Sequence, residues 1–313
     1  MRVTQSMLIR NAMNDITQQR LRLATTQEKA SSGLEINHVS DDPSGASAAM
    51  LLRAGIDATS QYEKNATQAL NRVRSIEGAL GQAMDLLIQA REAATEGANG
   101  SQSAETRAIL ALEVERIHEE MFALANTKAS NAFVFAGFAT DAPPFVSTGP
   151  FVSGSPSPTV GYVGDPNEAQ TPIDDRASAT TTLVGARIFL GDADADGSVD
   201  PGSTDLFQVL ADLRDALVND DQSAVAGTLT SLSGAIDQLS LERARVGMTE
   251  TRITEQQTRL VSRRTDLEIR LSDTQDADVT AVFSDLVNQE ASLRATLEST
   301  TRLVQPSLLD FLA

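Results

Sequence analysis

Apolar residues recur every seven positions along most of this chain, in stretches separated by clear breaks. The most regular stretch runs from residue 44 to about residue 98 and carries two such lines. A heptad repeat keeps a narrow apolar stripe facing a partner, so this stretch predicts a long helix in a bundle or coiled coil. Its many alanines favour a closely packed bundle. The two lines are Leu52, Thr59, Ala66, Val73, Leu80, Leu87 and Ala94, and Gly55, Tyr62, Ala69, Ile76, Ala83 and Ala90.

A second long repeat covers residues 222–271, but only one of its two lines is apolar throughout. We therefore expect a helix that is partly exposed, or that packs against other subunits through charged side chains. The apolar line is Leu232, Leu239, Val246, Ile253, Leu260 and Leu267, and the polar half of the companion line is Arg243, Glu250, Gln257 and Arg264.

The two ends of the chain carry shorter and weaker heptad lines, over residues 4–33 and 279–312. We expect these two helices to pair with each other. Neither is apolar or long enough to be stable as an isolated pair, so we also expect them to contact neighbouring subunits. The predicted assembly interface is Ile9, Met13, Ile16, Leu23, Val279, Phe283, Leu286, Leu293, Leu297, Val304, Leu308 and Leu309.

Helix boundaries are marked by capping residues. Gly33 is the type of residue that follows a helix end, and Asp42 before Pro43 predicts the start of the next helix. Asp41 and Asp42 could also be imagined as an acid–base pair, but capping explains them better. Ser103 is a plausible N-cap for a shorter helix over 104–130, and a further helix is predicted over 206–217. Residues 273–278 break the pattern before the closing helix.

Residues 141–204 differ from the rest of the chain. Eight of the ten prolines lie between Pro143 and Pro201, and the segment has nine acidic but only two basic residues. Proline disrupts helix interiors, so we predict a small β-rich insert. The predicted strands of the insert are residues 160–163 and 183–190. Residues 131–138, just before the insert, are predicted to form a strand or a hairpin.

These patterns predict a mainly α fold. Both chain ends form a long antiparallel helical bundle or coiled coil, and a small β-rich domain is inserted into it. The predicted domains are a terminal assembly domain (1–40 with 275–313), a helical rod domain (41–140 with 205–274) and an outer domain (141–204).

Composition excludes several classes of function. A net charge of −18 argues against binding to nucleic acid or anionic membranes. The chain has no cysteine and only His38 and His118, which leaves little for thiol or zinc chemistry. The chain contains no run of 18 apolar residues, so we expect no membrane-spanning helix. The N-terminus also lacks the apolar core of a cleavable signal. We expect no enzyme activity, no cofactor and no metal requirement.

One acidic loop resembles a calcium site. Asp192, Asp194 and Asp196 alternate before Gly197, and Asp200 could reach an ion through water. The position that needs a bidentate glutamate is Ser203, however. An acidic turn is therefore favoured over a calcium site.

Several motifs together resemble the bacterial flagellin family. They are the segment 23–37 with its Ser-Ser-Gly-Leu, the Ser-Asp-Asp-Pro at 40–43, the helix segment 71–80, and the closing segment 304–312. Within the family, residues 1–4, Gln61-Tyr62 with Asn65, and 135–145 are most similar to the hook-associated members at the hook–filament junction. The resemblance covers roughly residues 1–140 and 205–313.

The resemblance implies a structural subunit of the bacterial flagellum. It implies terminal helices in an inner tube, contacts with a neighbouring hook-associated protein and filament flagellin, a cytosolic export chaperone, and an extracellular location reached by flagellar export. Some flagellins carry a metalloprotease in the insert, but this insert has no histidine. Filament flagellin is the alternative within the family. A different class is an intracellular coiled-coil scaffold with a ligand-binding insert.

Overall fold

The computed structural model describes residues 5–149, 151–152 and 157–304 and confirms a mainly α fold with small antiparallel sheets. None of the helices in these ranges is long and apolar enough to cross a membrane. The helices are α1 (Gln5–Ser32), α2 (Pro43–Gly97), α3 (Ala104–Ala125), α4 (Leu206–Val218), α5 (Gln222–Gln275) and α6 (Val279–Val304).

The chain forms two compact units. The terminal unit comprises residues 1–58 and 262–313, and the central unit comprises residues 59–261. Both α2 and α5 contribute residues to each unit. The three-domain division proposed from the sequence stays a prediction.

The core of the central unit follows the heptad lines predicted for α2 and α5. Leu80, Leu87, Ala83 and Ala90 of α2 are fully buried. The apolar line of α5 lies in the same core, since Leu232, Leu239, Val246, Ile253 and Leu260 are at most 5% exposed. The periodicity therefore predicted the packed faces of both long helices correctly.

The polar companion line of α5 pairs with α2 of the same chain. Arg243 binds Glu77 at 2.6 Å, Arg74 binds Glu250 at 2.8 Å, and the Gln257 amide donates to Thr67 at 3.2 Å. These pairs account for three of the four polar residues of the repeat without another subunit, and the fourth, Arg264, lies 3.4 Å from Glu268 of its own helix. They fix the register of the two helices, because a slip by one turn would separate all of them.

Capping predictions are confirmed. The Asp42 carboxylate accepts from the Ser44 N–H at 3.0 Å, and α2 begins at Pro43. Hydrogen bonds from this first turn hold the pKa of Asp42 below its usual value. Asp41 accepts from the N–H groups of Asn37 and His38, so both aspartates stabilise the turn between α1 and α2 by accepting backbone hydrogen bonds. Ser103 caps α3 by accepting from Thr106 N–H.

Within the part of the chain that the structure describes, six short strands form three two-stranded antiparallel sheets. The pairs are β1 (Lys128–Ala129) with β2 (Ala132–Phe133), β3 (Phe145–Ser147) with β4 (Val160–Tyr162), and β5 (Gln170–Asp174) with β6 (Ala177–Thr180). The predicted strand at 160–163 is thus confirmed for three residues, and the aromatic segment 131–138 supplies only β2. Positive φ angles at Ser130 and Asn131 close the tight β1–β2 hairpin.

The predicted strand at 183–190 is wrong for most of its length. Residues Ala186–Leu190 form a π-helical turn that ends at Gly191 with φ +68°. A strand would send alternate side chains to opposite faces. The turn instead buries Ala186, Ile188, Phe189 and Leu190 together. Phe189 contacts Phe135 and Phe145, with ring centroids 5.1 and 5.5 Å apart.

Candidate assembly interface

The terminal unit contains an antiparallel pair of helices, α1 and α6, and backbone hydrogen bonds link the segment after α1 to the segment before α6. The Gly33 carbonyl accepts from Ala277 N–H at 2.9 Å, and the Gln275 carbonyl accepts from Glu35 N–H at 2.7 Å. The Gln275 side chain accepts from Arg53 of α2 at 2.8 Å and is almost fully buried. This junction sets the register of α6 against α1.

The seam between α1 and α6 is only partly apolar. Ile16 and Leu23 of α1 and Leu286 and Leu293 of α6 are half-buried. Thr26 donates a hydrogen bond to the Gln289 side chain at 3.0 Å. A polar pair at the centre of a helix seam replaces contacts that would otherwise bury apolar surface, so the pairing is weak.

A second set of predicted residues faces solvent. Among the described side chains of the predicted interface, Val279 is 55%, Phe283 51% and Leu297 37% exposed. Together with Val287, which is 66% exposed, they follow one side of α6, and we call these four residues the outer stripe. On α1, Ile9 and Met13 are likewise exposed.

The sequence-based interface therefore combined two different surfaces. The seam line of α6 is Val282, Gln289 and Thr296, with Val282 only 8% exposed. Phe283 and Leu297 each follow this line by one residue, a rotation of about 100° around the helix. Heptad spacing identified Leu286 and Leu293 beside this line, but not the line itself, because two of its three members are polar. The side chain of Val304, and Leu308 and Leu309 altogether, lie outside the described residues.

Charge is distributed unevenly between the units. The terminal unit carries 11 basic and 15 acidic residues, whereas the central unit carries 14 basic and 28 acidic residues. Within the terminal unit, α1 has four basic and two acidic residues, and α6 has two basic and three acidic residues. The net charge is therefore −4 for the terminal unit and −14 for the central unit.

The acidic loop places Asp192, Asp194 and Asp200 with carboxylate oxygens within 4.8 Å of one another. Asp192 accepts hydrogen bonds from the N–H groups of Asp196 and Gly197, at 3.1 and 2.8 Å. Asp200 accepts from Ala193 N–H at 2.7 Å. These bonds are those of an acidic turn stabilised by its own backbone, the interpretation that the sequence favours.

The N-terminal part of the chain, from α1 to the end of α3 and beyond, matches a known protein family. Residues 3–140 match the bacterial flagellin N-terminal helical region. Flagellar hook-associated protein 3 of Salmonella typhimurium is 30% identical over 190 residues, which is 60% of this chain and 57% of that protein. The flagellar filament 41 kDa core protein of Borreliella burgdorferi is 33% identical over 109 residues, covering 35% of this chain and 32% of that protein.

A solved structure has the same fold. The flagellar hook-associated protein-3 of Legionella pneumophila superposes with a TM-score of 0.60 at 14% identity, covering 72% of this chain and 98% of that structure. The chain spans little more than half the length of the Salmonella relative. These similarities confirm the resemblance to the flagellin family that the motifs indicated, and the relatives named are structural proteins of the flagellum.

Proposed function

We propose that this chain, which resembles the bacterial flagellins over residues 3–140, is a structural subunit of the flagellum at the hook–filament junction. It would self-assemble through its terminal helices and connect hook to filament. One observation carries the proposal: α6 exposes an apolar stripe while its contact with α1 contains the polar Thr26–Gln289 pair. Exposed apolar stripes of this kind mark surfaces that a partner covers.

The mechanism is assembly coupled to ordering. The weak seam leaves α1 and α6 only marginally stable in the free subunit. Packing of the outer stripe against neighbouring copies buries apolar surface that the single chain leaves in water, and this burial stabilises both helices. Self-association and helix ordering are then one event.

The partners follow from the same proposal. The outer stripe would contact further copies of this chain, a neighbouring hook-associated protein and filament flagellin. A cytosolic chaperone would cover the C-terminal helix before export through the flagellar secretion system, without a cleaved signal peptide. The assembled protein would be extracellular.

A substitution in the outer stripe tests the proposal. Phe283→Asp places a charge on the stripe, where Phe283 is 51% exposed and contributes little to the single chain. We expect a monomer with unchanged helix content that no longer sediments as an assembly. Asn288→Asp, at an exposed position away from the stripe, is the matched control and should assemble like the parent. Equal assembly of parent and Phe283→Asp would refute the proposal.

Filament flagellin is the second candidate, supported by the similarity to the Borreliella filament protein. Polymer length separates the two, since a filament protein grows long polymers whereas a junction protein stops at a short ring. Deletion of the gene should leave hooks without filaments. A stable soluble dimer that never forms a higher assembly would instead favour the intracellular scaffold.

A further inference from the structure

The central unit presents an exposed face on α5 that combines apolar and basic side chains. Leu241 is 56% and Met248 65% exposed, and the two lie one heptad apart on the same side of the helix as Ala244. Arg245 and Arg252 flank them. Arg252 is exposed and donates to the Ser178 carbonyl at 2.9 Å, and it has no ion pair with an acidic side chain among the described residues. We call these five residues the α5 face.

A cleft of about 430 Å³ lies between α2 and α3 of the same unit. Leu86, Ala123 and Leu124 contribute its apolar part, and Asp85 and Glu120 are acidic residues at its edge. Arg116 of α3 joins the two helices by donating to Gln89 of α2 at 3.2 Å, and it binds Glu120 of its own helix at 2.6 Å. The lining is mixed, because Gln82 and Gln89 also contribute to it, and a groove between two helices can receive one side of a third helix. We call it the α2–α3 cleft.

We infer that the α5 face of one copy docks into the α2–α3 cleft of the next copy. The inference rests on the proposed self-assembly and adds a contact made by the central unit. Charge complementarity identifies the occupant. With 28 acidic and 14 basic residues, central units repel one another on most approaches. The α5 face can meet the cleft with Arg252 near Asp85, since Glu120 already binds Arg116, and with Leu241 and Met248 over the apolar part.

The two surfaces belong to different helices, so one copy can donate its α5 face while its own cleft receives another. Such a head-to-tail contact continues from copy to copy, as a ring or a tube requires. A contact between two α5 faces would instead pair copies two by two and stop. A ring or tube therefore excludes pairing of two α5 faces and is compatible with the cleft as the receptor.

Cysteine cross-linking of the full-length chain tests the docking, because the parent has no cysteine. Met248→Cys and Ala123→Cys are prepared separately, mixed, assembled at high concentration and oxidised. We expect a disulfide between the two variants in large excess over either homodimer. Ser223→Cys, exposed at the start of α5, replaces Met248→Cys as the matched control and should give only background cross-linking with Ala123→Cys.

A charge exchange supplies a second measurement. Arg252→Asp in the Met248→Cys chain, or Asp85→Arg in the Ala123→Cys chain, should each reduce the cross-link yield several-fold, and the two together should restore it. Thermal melting of each monomer checks that folding is intact. Chains that assemble without the 248–123 cross-link overturn this inference and leave the proposed function standing. A parent chain that forms no assembly overturns both.

Discussion

The terminal and central units use the same kind of long heptad helix but bury very different amounts of apolar side chain. Among the described residues, the buried apolar side chains of the terminal unit are Ile36, Ala46, Ala49 and Val282, and each is still 5–8% exposed. In the central unit, by contrast, both α2 lines are buried at every position from Ala66 to Ala94. The central unit also contains ten of the twelve aromatic residues.

The difference shows that a heptad pattern alone does not establish stability. In the central unit the lines face further helices and an aromatic cluster, so its core is complete within one chain. The terminal unit has far fewer buried side chains, and its α1–α6 seam includes the Thr26–Gln289 hydrogen bond. We expect the central unit to set the global stability of the chain and the terminal unit to unfold locally below it.

The largest expected difference in the free energy of unfolding comes from a Leu→Ala substitution made in each unit. Leu80→Ala opens a cavity at a side chain that is fully buried, and we expect a loss of about 4 kcal/mol in the free energy of unfolding. Leu293→Ala, at a half-buried seam position, should change the global value by less than about 1 kcal/mol. Urea denaturation of the monomer measures both. Equal losses would show that the two units unfold together.

We expect acid to lower the free energy of unfolding of the central unit through protonation of His118. Burial lowers the pKa of His118 to about 4, its ring packs against Phe151 and Phe207, and Nε2 has no hydrogen-bond partner among the described residues. Nearby charges are Glu115 and Glu119 on its own helix and Arg214 of α4, which binds Glu115 at 2.7 Å. The unfolded chain therefore takes up a proton near pH 6.5, while the folded chain resists it until about pH 4.

Stability is consequently lost as the pH falls from 6.5 to 4. The loss from this group is about 3 kcal/mol, since each pKa unit corresponds to about 1.4 kcal/mol. His118→Gln removes the titration, so the parent should lose about 3 kcal/mol more than the variant between pH 7 and pH 4. Denaturation curves at several pH values measure this difference. Parallel pH profiles for parent and variant would contradict the assignment.

Helix caps give the smallest expected effect. Ser103 caps α3 in the central unit, and Asp278 caps α6 by accepting from Thr280 and Ala281 N–H at 2.9 and 3.2 Å. Ser103→Ala should lower the free energy of global unfolding by about 1 kcal/mol. Asp278→Ala should leave the global value nearly unchanged and instead speed amide exchange in the first turns of α6. The reverse pattern would place α6 in the global folding unit.

The sequence predicted the long helices and their caps well because these depend on local spacing. Pro43, Ser103 and the α2 lines behave as expected. The π-helical turn at 186–190 was missed because its conformation depends on a distant aromatic pocket formed by Phe135 and Phe145. Interface residues were predicted as one apolar set, but Gln289 and Thr296 occupy the seam line, so Phe283 is turned outward.

Amide hydrogen exchange of the free and the assembled chain tests the central claim most directly. In the monomer, α1 and α6 should exchange much faster than residues 66–94 of α2, because their seam is weak and their outer stripe is uncovered. On assembly, their protection should rise towards that of α2. Protection of α1 and α6 in the monomer equal to that of residues 66–94, with no change on assembly, would contradict the account.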